Sequence, residues 1–129
     1  MTVLITGGAG YVGSHIAHLL VDLGIQCVAL DDLSRGIREA VPVSVPLVVG
    51  KISDKELVRR TIRKYQVVAV MHLAGSVVIA ESLRESLTCY RNNVYGTISL
   101  LEACVSAGVL NVIFASSAAV YGTASGGNR

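Results

Sequence analysis

The N-terminal segment, an apolar strand followed by a glycine-rich turn, constrains the fold more than any other part of the chain. The apolar run Thr2–Thr6 leads into the glycine turn Gly7–Gly13 and a helical pattern over Tyr11–Leu23. A second apolar run, Gln26–Leu30, follows and ends at Asp31. Strand, turn, helix and strand in this order make a βαβ unit with two parallel strands. The segment therefore predicts an α/β fold.

Three glycines of this turn stand where a dinucleotide-binding turn requires them, between a strand and a helix. Gly7 permits the tight exit from the strand, Gly10 lets the backbone approach a pyrophosphate, and Gly13 lets the helix pack closely on the strand. The helix that begins near Tyr11 directs its free N–H groups and the positive end of its dipole at the same place. The segment predicts a pyrophosphate site.

Asp31 is the predicted ligand of the adenosine ribose. A carboxylate at the end of the second strand accepts hydrogen bonds from the ribose hydroxyls and repels a 2′-phosphate. Its position therefore favours NAD over NADP as the cofactor. The competing interpretation is a glycine-rich turn in an ordinary α/β protein, with Asp31 a solvated loop residue.

The first helix is predicted to be amphipathic and to pack on the sheet through its large apolar side chains. Gly24 is expected to end it, because glycine is common just past a helix C-terminus. The apolar face is predicted to consist of Val12, Ile16, Leu19, Leu20 and Leu23.

The rest of the chain continues to alternate strands and helices. Strands are predicted at Val45–Val49, Val67–His72 and Asn111–Ala115, and helices from the capping residue Asp54 to Lys64 and from about Glu85 to Ala107. This alternation predicts a Rossmann-like, doubly wound parallel sheet of order 3-2-1-4-5, which is incomplete at the strand-five edge. Residues 1–122 are therefore predicted to form a Rossmann domain, and residues 123–129 a loose tail.

The composition is that of one folded domain and gives no sign of nucleic acid. Of the 129 residues, 52% are hydrophobic and 16% are charged, and the basic residues behind the net charge of +2 are scattered. Cys27, Cys89 and Cys104 lack metal-ligand spacing and are predicted to be buried apolar residues of a reducing compartment. Glycines and polar residues interrupt the apolar runs, so neither a signal peptide nor a membrane span is indicated. The sequence predicts a cytoplasmic protein.

Small and polar residues follow the later strands at one predicted edge of the sheet. They are Lys51 and Ile52 after strand three, His72, Leu73, Ala74 and Gly75 after strand four, and Ser116 and Ser117 after strand five. Because ligands of such folds bind beyond the carboxyl ends of the strands, we expect these residues to border one cleft. Ala74 and Gly75 would let the backbone pass close to a cofactor, although an ordinary turn accounts for them equally well. His72 is interpreted as a structural group rather than a catalyst.

Two pairs of polar residues are further candidate ligands. Asn92 and Asn93 lie in a predicted helix, where asparagine has a low propensity. Their side chains are therefore expected to bond a neighbouring strand or the cofactor. Ser116 and Ser117 have no nearby base that would make them nucleophiles, so they are expected to hydrogen-bond a substrate oxygen.

Several segments together resemble the extended short-chain dehydrogenase/reductases. The matching segments are Thr6–His15, Asp31–Ser34, His72–Gly75, Glu81–Ser82, Tyr90–Thr97 and Ser116–Gly122. The glycine segment marks only the superfamily. The Asn-Asn-Val-x-Gly-Thr and Ser-Ser-Ala-Ala-Val-Tyr-Gly segments are similar to those of its nucleotide-sugar epimerases. The resemblance extends to Gly122.

The resemblance implies an NAD-dependent isomerase that interconverts UDP-glucose and UDP-galactose in galactose metabolism. NAD would take a hydride from C4 of the UDP-sugar and return it to the other face, while a tyrosine removes the 4-hydroxyl proton. Ser117 would be the catalytic residue that hydrogen-bonds the sugar O4. The cofactor would be held by Gly7, Gly10, Tyr11, Val12, Gly13, Asp31, Ile52, Leu73, Ala74, Gly75, Asn92 and Ser116. The implied partner is a UDP-sugar, a homodimer is allowed, and no metal is implied.

The family's catalytic base is missing from the sequence. It belongs to a Tyr-x-x-x-Lys pair, in which the lysine lowers the pKa of the tyrosine. None of the five tyrosines is followed by lysine at the fourth position. The sequence therefore predicts an N-terminal NAD-binding portion that lacks the substrate domain and is inactive alone. The alternatives are another nucleotide-sugar epimerase or a dehydratase, and a non-catalytic NAD-sensing module.

Lys51 is a lesser departure from the family pattern. The family commonly has an aspartate there, whose carboxylate accepts a hydrogen bond from the adenine amino group. Lysine has no acceptor atom. The adenine end of the cleft is therefore expected to differ from that of the family.

Overall fold

A parallel five-stranded sheet forms the centre of the computed structural model, which describes residues 1–75, 86–117, 120 and 122. The strands are β1 (Thr2–Thr6), β2 (Gln26–Asp31), β3 (Leu47–Val49), β4 (Val67–His72) and β5 (Asn111–Phe114). Their order in the sheet is β3-β2-β1-β4-β5, and every neighbouring pair is parallel. The predicted fold class and strand order are confirmed.

The helices cover both faces of this sheet. They are α1 (Tyr11–Asp22), a 3₁₀ turn (Arg38–Ala40), α2 (Lys55–Tyr65), α3 (Ser86–Tyr90), a π-helical turn (Arg91–Tyr95) and α4 (Gly96–Ser106). Asp54 caps α2 as predicted, because its carboxylate accepts a hydrogen bond of 3.0 Å from the N–H of Leu57.

Two apolar clusters lie on opposite faces of the sheet. Leu4 and Ile5 are neighbours in β1 and belong to different clusters, since successive strand residues point to opposite faces. The Leu4 cluster includes Val58 of α2 and Leu100 of α4. The Ile5 cluster includes Ala17 of α1. Crossovers on both faces bring the glycine turn and the end of β4 together at one edge of the sheet.

The buried face of α1 differs from the sequence prediction. Val12, Leu19 and Leu23 are exposed, whereas the buried residues are the small Gly13, Ser14 and Ala17. Ile16 and Leu20 pack at the margin of the core. Small residues face the sheet because α1 begins directly over the glycine turn and lies close to it. The helix ends before Gly24, which has a φ of +69°.

The long helix predicted over Glu85–Ala107 is not continuous. In the described part of the chain it begins at Ser86 and is interrupted by the π turn Arg91–Tyr95. The N–H of Gly96 bonds the carbonyl of Arg91, five residues earlier, which defines the π geometry. The interruption falls on the two asparagines, whose low helix propensity favours a local irregularity.

Smaller corrections concern β3, β5 and one cysteine. β3 begins at Leu47 rather than Val45, because Val45 closes a turn onto Pro42 and Pro46 has no N–H to donate. β5 ends one residue earlier than predicted and pairs only with β4 within the described ranges. Cys27 and Cys104 are buried as predicted, whereas Cys89 is half-buried.

Some sequence predictions fall outside the described residues. They concern the tail at 123–129 and the motif residues Glu81, Ser82 and Tyr121. Within the described ranges, none of the helices has the length and apolar character to cross a bilayer. The same ranges contain no group of three metal-ligating side chains.

Candidate functional site

The glycine turn is so tight that three of its glycines have no room for a side chain. A Cβ on Gly8 would lie 2.6 Å from the Cβ of Ala29. Gly7 has a φ of +70° and donates its N–H to the carbonyl of Leu30 over 2.8 Å. A Cβ on Gly7 would lie 2.8 Å from the backbone nitrogen of Ala74. A Cβ on Gly13 would lie 2.1 Å from the carbonyl oxygen of Gly7. The start of α1, the turn and the end of β4 are therefore in direct backbone contact.

The Asp31 carboxylate is held in place by backbone N–H groups. Its Oδ2 accepts from the N–H of Ala9 at 3.0 Å, and its Oδ1 accepts from the N–H of Leu33 at 2.9 Å. Asp31 is 9% exposed. Each carboxylate oxygen has lone-pair capacity beyond one hydrogen bond. The arrangement fixes the carboxylate at the end of β2 and leaves acceptor capacity for a ligand hydroxyl.

A loop after β2 packs against this carboxylate. A Cβ on Gly36 would lie 2.6 Å from Asp31 Oδ1 and 2.8 Å from the Cβ of Ala9. The N–H of Ile37 donates to the carbonyl of Ala9 over 2.9 Å. Leu33 has a φ of +57°, a left-handed conformation that its hydrogen bond to Asp31 stabilises. The loop thus forms one wall next to the glycine turn.

A cleft of about 370 Å³ opens at the carboxyl ends of the strands. It is bordered by the glycine turn, the end of β2, the residues after β3 and β4, and the π turn. Eleven of the thirteen predicted site residues line it, namely Gly7, Gly10, Tyr11, Val12, Gly13, Asp31, Ile52, Leu73, Ala74, Gly75 and Asn92. The other two, Ser116 and Ser117, are exposed after β5 and are not part of this lining. Ser116 has a φ of +61°.

His72 lies beneath the cleft and is buried, with 1% of its surface exposed. Its Nδ1 lies 2.7 Å from Thr6 Oγ1, and its Nε2 lies 2.8 Å from Thr97 Oγ1. Burial lowers the pKa of this imidazole below its ordinary value. A neutral ring with both nitrogens bonded is a structural group, in agreement with its interpretation from the sequence.

These features agree with the comparison of the chain with known protein families. The model of the NAD dependent epimerase/dehydratase family matches residues 3–128. The chain belongs to this family. The match includes the glycine turn, Asp31 and the π turn, and therefore covers the whole border of the cleft.

Similar members of this family are UDP-glucose 4-epimerases. That of Azospirillum brasilense is 55% identical over 120 residues, which cover 93% of this chain and 34% of the relative. The Brucella ovis enzyme, solved in complex with NAD, has a TM-score of 0.88 at 46% identity and is matched over 94% of this chain and 37% of its own. The Bifidobacterium longum enzyme, solved with NAD+ and UDP, has a TM-score of 0.87 at 31% identity. The match covers 95% of this chain and 39% of that enzyme. The chain thus spans little more than a third of the length of these family members.

The cleft also contains residues that the sequence did not single out as ligands. The charged ones are Arg35, Arg91 and Asp32, and the others are Leu30, Ser34, Gly36, Gly50, Ser53 and Gly96. Lys51, noted above only as a departure from the family, lines the cleft as well. Arg91 precedes Asn92 in the π turn, so the same asparagine pair could have drawn attention to it. The cleft therefore presents three cations and two carboxylates to a ligand.

The buried His72 predicts a pH dependence of stability. Because burial lowers the pKa of His72 below 6.5, the unfolded chain takes up a proton at a higher pH than the folded chain. The contribution of His72 to the free energy of unfolding is therefore fully present above pH 6.5. It is lost as the pH falls towards the folded-state pKa, by at most about 1.4 kcal/mol per pH unit. Urea unfolding between about pH 5 and pH 8 measures this slope. A His72→Gln variant should have a flatter profile, and an equal slope in both proteins would assign it to other groups.

Proposed function

We propose that the chain is the NAD-binding portion of a UDP-glucose 4-epimerase-like enzyme. The observation that carries the proposal is the placement of the glycine turn, the start of α1 and the Asp31 carboxylate around one cleft. Relatives of the same family with NAD in their solved structures support it.

Two parts of the cleft bind opposite chemical groups of the cofactor. The free N–H groups of Tyr11 and Val12, at the positive end of the α1 dipole, attract the pyrophosphate. The Asp31 carboxylate accepts hydrogen bonds from the adenosine ribose hydroxyls. Its negative charge disfavours a 2′-phosphate, so NAD is the proposed cofactor rather than NADP. Arg35 and Lys51 also line the cleft, and their positive charges reduce this preference.

The proposed substrate is a UDP-hexose of galactose metabolism. Bound NAD supplies a reversible hydride acceptor for oxidation at the sugar C4. Ser117, beyond the end of β5, is proposed to hydrogen-bond the sugar O4, and Ser116 to contact the cofactor. None of the five tyrosines has a lysine at the fourth position after it, so we propose that this chain alone does not turn over UDP-sugars.

Calorimetric titration of the chain with NAD and NADP tests this proposal. NAD is expected to bind at least about tenfold more tightly than NADP, which corresponds to about 1.4 kcal/mol. A coupled assay with UDP-galactose is expected to show no formation of UDP-glucose. Absence of NAD binding by the folded chain would overturn the cofactor proposal. Measurable turnover would show that a base other than a Tyr-x-x-x-Lys tyrosine is present.

A further inference from the structure

A partly buried series of hydrogen bonds, here called the hydrogen-bond chain, runs from the end of β1 to the π turn. It joins Thr6 at the end of β1, His72 at the end of β4, Thr97 at the start of α4, and the carbonyl of Asn93 in the π turn. The distances are 2.7 Å from Thr6 to His72, 2.8 Å from His72 to Thr97 and 2.6 Å from Thr97 to Asn93. Thr6 immediately precedes Gly7 of the glycine turn.

The proton order along this chain follows from its last hydrogen bond. The hydroxyl proton of Thr97 is donated to the carbonyl of Asn93. The hydroxyl oxygen of Thr97 must therefore accept from His72, so the His72 Nε2 carries the ring proton. Its Nδ1 is then the acceptor for the hydroxyl proton of Thr6. A neutral imidazole in this one tautomer satisfies all three bonds.

The hydrogen-bond chain ends on the π turn, and so we expect it to fix the position of this turn. Arg91 and Asn92 of the turn line the cleft. The Asn93 side chain lies beside Gly75, since a Cβ on Gly75 would lie 3.4 Å from its Oδ1. The N–H of Gly96 bonds the carbonyl of Arg91, five residues earlier, instead of the carbonyl four residues earlier as in a regular α-helix. In this turn the carbonyl of Asn93 accepts a hydrogen bond from the Thr97 hydroxyl.

We propose that His72 is a positioning residue, which fixes the π turn and its Asn92 relative to the glycine turn through Thr6 and Thr97. Its two ring nitrogens bridge the strand end next to the glycine turn and the start of α4, which directly follows the π turn with Asn92. Loss of the Thr97 bond frees the π turn to move and so displaces one wall of the cleft. The inference rests on the proposed function, that this cleft binds NAD.

A pair of variants at Thr97 separates positioning from mere stability. Thr97→Val keeps the shape and removes the hydroxyl, whereas Thr97→Ser keeps the hydroxyl. The NAD dissociation constant is measured by calorimetry at a temperature at which circular dichroism shows each protein fully folded, and Tm is measured separately. The Thr97→Val variant is expected to bind NAD about tenfold more weakly, and the Thr97→Ser variant within about twofold of the original chain.

Nitrogen NMR of the original chain gives a second measurement that needs no variant at Thr97. The His72 ring, assigned with a His72→Gln variant, is expected to show the Nε2–H tautomer and to shift when NAD is added. The Nδ1–H tautomer, or resonances that NAD leaves unchanged, would overturn the inference.

The outcomes distinguish this inference from the proposed function. If the original chain does not bind NAD, the proposed function fails and the inference fails with it. If it binds NAD and the Thr97→Val variant has a lower Tm but an unchanged dissociation constant, the hydrogen-bond chain only stabilises the fold. In that case the positioning role is overturned while the proposed function stands.

Discussion

Replacing Asp31 by alanine is expected to weaken NAD binding at least about tenfold and to lower the free energy of unfolding by about 1–3 kcal/mol. The affinity falls because the ribose hydroxyls lose a charged acceptor, and a hydrogen bond to a charged group contributes about 1.5–3 kcal/mol. The stability falls because the N–H groups of Ala9 and Leu33 lose their acceptor at a nearly buried position. Calorimetric titration and urea unfolding measure the two effects.

Asp54→Ala is the matched control for this variant. Asp54 also accepts a backbone N–H, that of Leu57, but it caps α2 and does not line the cleft. Its loss is expected to cost about 1 kcal/mol of stability with no change in NAD affinity. An Asp31→Ala variant that lost stability but kept the NAD affinity of the original chain would remove the ribose role and leave Asp31 a purely structural acceptor.

The part of the fold that the sequence predicted best is governed by local rules. β1, the glycine turn, α1 and β2 are consecutive, and each has a residue pattern that favours one conformation. The order of the five strands was also predicted correctly, because few sheet topologies are compatible with right-handed crossovers through alternating helices. The placement of Asp31 on the cleft was a consequence of this order, since it ends the strand next to β1.

The features that the sequence did not predict depend on contacts between distant segments. The α1 pattern favoured Leu19 and Leu23 as buried residues, but the close approach of the helix to the turn buried Ala17 instead. The π turn and the role of Arg91 depend on how the helix after β4 lies across the cleft. Hydrophobic periodicity indicates only which side of a helix is apolar on average. It therefore predicts neither the burial of Ala17 nor the π turn.

Gly13→Ala is expected to be the most destabilising substitution in the glycine turn. Its Cβ would lie 2.1 Å from the carbonyl oxygen of Gly7 and 2.8 Å from the Cα of Gly8. Both are backbone atoms, so no side-chain rotation relieves the overlap and α1 has to move away from the turn. Overpacking of this kind costs about 1–3 kcal/mol or more, and the displaced helix also loses its alignment with the pyrophosphate. Urea unfolding and NAD titration are the measurements.

Gly10→Ala separates packing from access to the cofactor. Gly10 has an extended backbone, with φ −76° and ψ 173°, and among the described residues its Cβ would approach only the Gly7 oxygen, at 3.2 Å. The chain is therefore expected to keep its stability within about 1 kcal/mol. NAD affinity should still fall, because the new methyl group lies where the backbone must approach the pyrophosphate. Of these two variants, only Gly13→Ala brings its methyl group into overlap with backbone atoms of the turn. If both variants unfolded at the same urea concentration, the close packing of α1 on the turn would be refuted.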